Sequence, residues 1–186
     1  LQRAVKHRGI APLAVIVMGV SGSGKSTLGA VLAGALDAPF LEGDSYHAAA
    51  AVAKMRSGQP LDDADRWPWL DRLGAAIGAE VRATGVAVAA CSALRRSYRD
   101  RLVTAIGAPT RFLLLDGTPE ELRRRLGNRP GHYMPSSLLT SQLETLERLG
   151  PDEAATTLDA SAPPERLCRE ALAWLACDHA GDAAQA

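Results

Sequence analysis

An apolar, largely β-branched run, Val15-Ile-Val-Met18, breaks into the turn Gly19-Val-Ser-Gly-Ser-Gly-Lys-Ser26 and then into a helical pattern. Gly19, Gly24, Lys25 and Ser26 fill the fixed positions of G-x-x-x-x-G-K-[ST], the P-loop. Glycines let the backbone curl until successive N–H groups face one anion, and the following helix adds its unsatisfied N–H groups and positive dipole end. The lysine of such a loop reaches the β- and γ-phosphates, and the hydroxyl after it ligates Mg²⁺. Gly19, Val20, Ser21, Gly22, Ser23, Gly24, Lys25, Ser26 and Thr27 are therefore the candidate nucleotide ligands, with Ser26 as metal ligand. A flexible Gly/Ser loop with an incidental lysine would not explain the strand-like run before it. Nor would it explain Leu28, Val31, Leu32, Ala35 and Leu36 at helical spacing after it. The stretch predicts a strand, a phosphate-binding loop and a helix, hence binding of a nucleoside triphosphate.

The rest of the chain alternates in the same way. Strand patterns cover Ala14–Met18, Phe40–Glu42, Val86–Cys91 and Arg111–Asp116, with a short last strand expected between Pro151 and Leu158. Helical patterns lie at about Lys25–Leu36, Ala48–Met55, the interrupted stretch to Glu80, Leu94–Ile106, Ser137–Leu149 and Pro163–Cys177. Thr118-Pro-Glu-Glu121 reads as a capped helix start, with Thr118 at the N-cap and Pro119 at the first helical position. Alternation of this kind predicts an α/β fold of the P-loop NTPase type, a parallel sheet flanked by helices. One domain is expected over 1–186, with its core at about 13–178 and the chain beyond Asp178 frayed. Asp44 ends the second strand, and in such sheets the carboxyl ends of strands carry the ligand, so Asp44 should face the P-loop's crevice. The arginine-rich segment from Arg123 to His132 lies between two helices and suits a mobile lid at about 123–149.

Composition and the motifs present weigh against several classes of P-loop protein. Lys plus Arg equals Asp plus Glu at 21 each, and no basic stripe stands out, which argues against nucleic acid as a partner. No Asn-Lys-x-Asp segment is present to read guanine, and no apolar stretch approaches a membrane span. Cys91, Cys168 and Cys177 are an odd set without metal-ligand spacing, as expected of a reduced, cytoplasmic protein in which Cys91 is a buried thiol.

Four segments go further: GVSGSGKST, EGDSYHAAAAVAKMRSGQPLDDADRWPWL, CSALRRSYRDRL and GHYMPSSLLTSQLETLE. Together they resemble the gluconokinases, P-loop kinases with a fold like that of shikimate kinase and the nucleoside monophosphate kinases. The resemblance implies ATP and Mg²⁺, conversion of D-gluconate to 6-phospho-D-gluconate, a lid, and often a homodimer. It implies a substrate-binding helical segment at about 45–80. Gluconate carries a carboxylate at one end and the reacting hydroxyl at the other, so the site needs a carboxylate near the hydroxyl and cations near the far end. Asp44 is the candidate to orient or deprotonate the hydroxyl, or to hold Mg²⁺ through water. Arg66 with Arg95 or Arg96 are candidates for the carboxylate, which a guanidinium suits. His47, Lys54, Tyr98 and Gln142 match substrate-contacting segments of the family, and Asp100 reads better as an intra-domain ion pair. Arg125, Arg129 and His132 match lid positions: Arg125 and Arg129 for ATP, Arg129 also for the transferring phosphoryl group, and His132 for the substrate. Asp116 ends an hhhhD run that imitates Walker B, but the resemblance asks for no acid there. The chain departs from the family at Ala48 and Ala51, where proline and asparagine are usual, and so lacks polar groups that could face the substrate or cap a helix. A kinase for another small acid and a catalytically silent nucleotide-binding module are the alternatives.

Overall fold

The structure, a computed structural model, describes residues 12–127 and 136–182. Five parallel strands form one sheet in the order β2-β3-β1-β4-β5. They are β1 (Leu13–Met18), β2 (Phe40–Glu42), β3 (Val86–Ala90), β4 (Thr110–Asp116) and β5 (Ala155–Asp159). The helices are α1 (Lys25–Ala35), α2 (Ala49–Arg56), α3 (Asp63–Thr84), α4 (Arg96–Ile106), α5 (Pro119–Gly127), α6 (Ser136–Thr145) and α7 (Pro164–Asp182). A 3-10 turn, Gly43–Tyr46, follows β2.

Every residue of β1 is buried, because β1 is the central strand and both sheet faces are covered. Its alternation divides the core. Ala14, Ile16 and Met18 pack with Trp69, Leu73 and Ile77 of α3 and Leu102 and Ile106 of α4. Leu13, Val15 and Val17 pack with Leu28 and Leu32 of α1 and Leu167, Ala171 and Leu175 of α7. A small third cluster of Val20, Leu94, Leu122 and Leu139 holds α5 and α6 over the P-loop. The β1 register, Val17 opposite Ala90 on one side and Leu113 on the other, aligns the carboxyl ends of three strands at one edge. The crevice lies at that edge.

Several boundaries differ from expectation, each with a local cause. The acidic cluster before Trp67 opens α3. The Asp62 carboxylate accepts from Asp65 N–H at 3.0 Å, and the Asp65 carboxylate accepts from Asp62 N–H at 3.1 Å. Pro68 then sits in the second turn of that helix, which continues through it without the N–H that would bond Ala64 O. β3 stops at Ala90 and α4 begins only at Arg96, with Ala93 between them at φ 44°. α6 ends at Thr145 rather than Leu149, because Glu147 N–H is drawn to Leu94 O at 2.8 Å and its carboxylate to Arg96 N–H at 2.7 Å. α7 extends to Asp182, past the end expected at about Cys177. The Thr118 cap forms as expected, its hydroxyl accepting from Glu121 N–H at 3.3 Å.

One buried ion pair fastens this edge. Arg99 is 1% exposed and donates from Nε to Glu153 Oε1 at 2.5 Å and from Nη2 to Glu153 Oε2 at 2.9 Å. Its remaining Nη1 donates to the carbonyls of Ala93, Leu94 and Glu147. One guanidinium thus joins the start of α4 to the segment leaving α6.

Candidate active site

The P-loop is shaped by glycines for which no other residue would serve. Gly19, Gly22 and Gly24 have φ of 141°, 81° and 96°. A Cβ on Gly19 would fall 2.7 Å from Leu115 O, and one on Gly22 would lie 3.2 Å from Leu122 O. The loop is pressed between β4 and α5, with Gly19 N–H donating to Ser92 O and Ser23 N–H to Val20 O, each at 3.3 Å. Lys25 Nζ donates to Val20 O at 3.0 Å, so the ammonium lies folded over the loop. Ser21 N–H donates to Gln142 Oε1, in α6, at 2.7 Å. Ser23 Oγ is buried without a hydrogen-bond partner among the described residues.

Two cavities flank this loop. The first is walled by Lys25, Asp44, His47, Arg66, Tyr98 and Gln142 together with residues of α2, α3 and α6. Asp44 is placed by Gly43, where a Cβ would meet Ala90 O at 2.2 Å, and whose carbonyl accepts from Trp69 Nε1 at 2.8 Å. The Asp44 side chain itself is 77% exposed to the cleft. His47 ends the 3-10 turn with extended backbone, not within a helix as its neighbours' pattern suggested. Its ring stacks on Trp69 at 4.1 Å and 17°, with Nε2 3.9 Å from Asp44 Oδ1 and Nδ1 buried without a partner among the described residues. Burial pushes the imidazole below its ordinary value of 6.5, against the pull of Asp44, so His47 is neutral at pH 7.

Arg66 is held in a relay. Its Nη1 donates to Tyr98 Oη at 3.0 Å, and that hydroxyl donates to Asp63 Oδ1 at 2.5 Å. Arg95 lies 3.6 Å from the same Asp63 oxygen, and both guanidinium carbons lie within 6 Å of the Tyr98 ring centre. Burial and the Asp63 contact raise the Tyr98 phenol, which stays protonated and able to donate.

Not every expected residue meets this cavity. Arg96 turns away, donating to Asp100 at 2.9 Å and to Asp152 through both terminal nitrogens. Asp100 is thus an intra-domain partner. Lys54 clamps the start of α3, at 2.6 Å from Asp65 and 3.2 Å from Asp62. Arg95 stands behind Tyr98 rather than in the wall. Ala48 caps α2 without a side-chain hydrogen bond and Ala51 is buried, so neither faces the cavity. Asp116 is paired with Arg148. Arg129 and His132 lie outside the described residues.

The second cavity lies on the other side of the loop, between Ser23, Gly24 and Thr27 and the turn after β5, Ala160–Pro164. Arg125 forms part of its wall and is steadied by Glu121 at 2.7 Å. That turn carries little sign of its role in the sequence. Its only signal was Ser161-Ala-Pro-Pro164, small and rigid residues directly after a strand end. Asp63 and Trp69 are equally unmarked as site residues, since nothing in their spacing shows what they hold.

A P-loop with one cavity on each side, the first carrying an exposed carboxylate and an arginine, defines a small-molecule kinase. Residues 15–149 match the AAA domain family AAA_33. The chain is 44% identical to a gluconokinase of Gluconobacter oxydans, over 88% of this chain and 92% of that one. It superimposes with a TM-score of 0.82 on a gluconokinase from Sinorhizobium meliloti, at 44% identity over 94% of this chain and 98% of that one. The shikimate kinase of Aquifex aeolicus shares the fold alone, at TM-score 0.57 and 16% identity over 90% of this chain and 99% of that one. The chain belongs to the gluconokinase family.

Proposed function

We propose that this chain transfers the γ-phosphoryl group of ATP to the terminal hydroxyl of D-gluconate, giving 6-phospho-D-gluconate and ADP. The observation that carries the reading is a single cavity wall in which Lys25 of the P-loop, the Asp44 carboxylate and the Arg66 guanidinium occur together. That is the complement of a linear polyol acid, with a base for the hydroxyl that reacts and a cation for the carboxylate that does not.

The phosphates of ATP sit on the P-loop N–H groups, with Lys25 moving from Val20 O to the β- and γ-oxygens. The base of ATP enters the second cavity, between Arg125 and the Ala160–Pro164 turn. Hard oxygen donors suit Mg²⁺, and here they are the Ser26 hydroxyl and the phosphates themselves; among the described residues no cluster of three or more His, Cys, Asp or Glu side chains forms a separate metal site. Bound Mg²⁺ would neutralise charge on the transferring phosphates. Arg129 is proposed to do the same from the lid.

On the acceptor side, Arg66 takes the gluconate carboxylate, oriented by Tyr98. Asp44 accepts the hydroxyl proton as that oxygen attacks phosphorus and ADP leaves. His47, neutral and stacked, supports Asp44 and offers a ring nitrogen to a polyol hydroxyl. Buried and exposed free cysteines accord with a cytoplasmic enzyme, and a homodimer is proposed on family grounds.

The test is ATP consumption with Mg²⁺ over gluconate, other aldonates, shikimate, hexoses and AMP, with Asp44→Asn in parallel. Selective turnover of gluconate, falling about 10²-fold or more in kcat in the variant, is expected. Preference for AMP or a hexose would overturn the reading.

A further inference from the structure

Gln142 is a cavity-wall side chain from outside the P-loop that is bonded directly to the loop's backbone. Its hydrogen bond settles how the carboxamide is turned. A backbone N–H only donates, so the atom 2.7 Å from Ser21 N is the oxygen, and the NH₂ lies on the opposite branch. That NH₂ has no acceptor among the described residues, and the side chain borders the cavity that holds Asp44 and Arg66. α6, which presents Gln142, is fixed at both levels. Leu139 is fully buried against Val20 and Leu122, and the segment after the helix is bound to Leu94 and Arg96 through Glu147.

Resting on the assignment of the first cavity to gluconate, we propose that Gln142 registers the acceptor against the nucleotide loop. Its Oε1 is held by Ser21 N–H and its Nε2 donates to a hydroxyl of the polyol chain. One planar group then ties the acceptor to the loop that carries the phosphates, which fixes the separation of the two reacting atoms. Gln142 is thus a positioning residue for the acceptor, and it makes the occupancy of each site felt at the other.

The test separates the two ends of the carboxamide. Gln142→Glu keeps an acceptor for Ser21 N–H but has no donor, and Gln142→Ala has neither. Gluconate binding is measured for wild type and both variants by calorimetry, alone and with a non-hydrolysable ATP analogue, and melting temperature is followed in parallel. Both variants are expected to weaken gluconate by about 10-fold, the worth of one hydrogen bond to a well-held donor. In Gln142→Ala the analogue is expected to lose its effect on gluconate affinity, while its own affinity alone changes less than about 3-fold. Unchanged gluconate affinity in Gln142→Glu at an unchanged melting temperature would overturn the proposal. Should the alanine variant not fold, the glutamate variant still decides it. Wild-type protein that binds the analogue but no gluconate would instead refute the assignment of the cavity.

Discussion

The two sides of the site are built on opposite plans. The nucleotide side is made largely of backbone: one contiguous loop at residues 19–27, shaped by three glycines at positive φ. The acceptor side is made of side chains brought from the end of β2, the first turns of α3 and α4, and the middle of α6. A backbone site needs a contiguous stretch and therefore leaves a motif. A side-chain site needs only that distant segments meet, and its integrity depends on whatever holds them together. Damage to the first side should strike chemistry at intact fold, whereas damage to the second should spread between affinity and stability.

The sharpest contrast comes from Lys25→Ala. Removing the ammonium is expected to lower kcat by about 10³-fold, at the upper end for a single charge-stabilising donor, with little change in melting temperature. Within the protein the ammonium donates to Val20 O, a carbonyl that water can reach in its place. Steady-state kinetics beside a thermal melt would check it, and near-normal turnover would remove Lys25 from the phosphate site.

On the acceptor side the largest effect should fall on stability, through a residue that lines neither of the two cavities. Glu153→Ala would leave Arg99 buried and unpaired, at an expected cost of about 3–5 kcal/mol by denaturant unfolding. Glu153→Gln, which keeps an acceptor and the shape, should cost less and remains useful if the alanine variant does not fold. Burial raises the Glu153 carboxyl, but the Arg99 contacts and Gly150 N–H outweigh it and leave the group below its ordinary 4.5. The pair's contribution is therefore present above 4.5 and lost as pH falls through the folded value. Equal loss in the two variants would mean that the charge is not what matters.

These differences explain what could be read in advance. The alternation of strands and helices, the P-loop and the capped start at Thr118 depend on residues adjacent in sequence, and each was readable. Asp44 was readable because a strand end in a parallel sheet has only one place to point. Arg95 and Arg96 were not separable: adjacent residues at a helix start diverge by about 100°, and Asp152, far along the chain, decides which one is drawn away. Arg99 gave even less sign of its role. Its partner is Glu153, more than fifty residues on, and no local pattern marks a buried pair at that separation. The bend after α6 was hidden for the same reason, since Leu94 supplies the acceptor that ends the helix.

Arg66→Ala probes the acceptor side without removing its scaffold. Loss of a charge-assisted hydrogen bond to a carboxylate is expected to raise gluconate KM about 10- to 100-fold, with ATP KM nearly constant. Tyr98→Phe should act in the same direction and more weakly, because Arg66 would keep its charge but lose the hydroxyl that orients it. A change confined to ATP KM would put the carboxylate elsewhere.

The smallest effect should be a change of slope. His47 lies against Trp69 with its pKa lowered by burial, Asp44 and Asp65 pulling it up and Arg72 and Arg66 pushing it down. The unfolded chain takes up the proton near 6.5, while the folded protein takes it up only at lower pH. Stability linked to this group is therefore complete above 6.5 and declines as pH falls below it. His47→Gln removes the titration, so its unfolding free energy should depend less steeply on pH between about 6.5 and 5.5 than that of wild type. The comparison is one of slopes, which cancels the constant cost of losing the stack on Trp69. Carboxylates such as Glu153 titrate lower and contribute little in that interval. Identical slopes would show that the imidazole reaches solvent on protonation, and would leave His47 no more organised than the exposed carboxylate beside it.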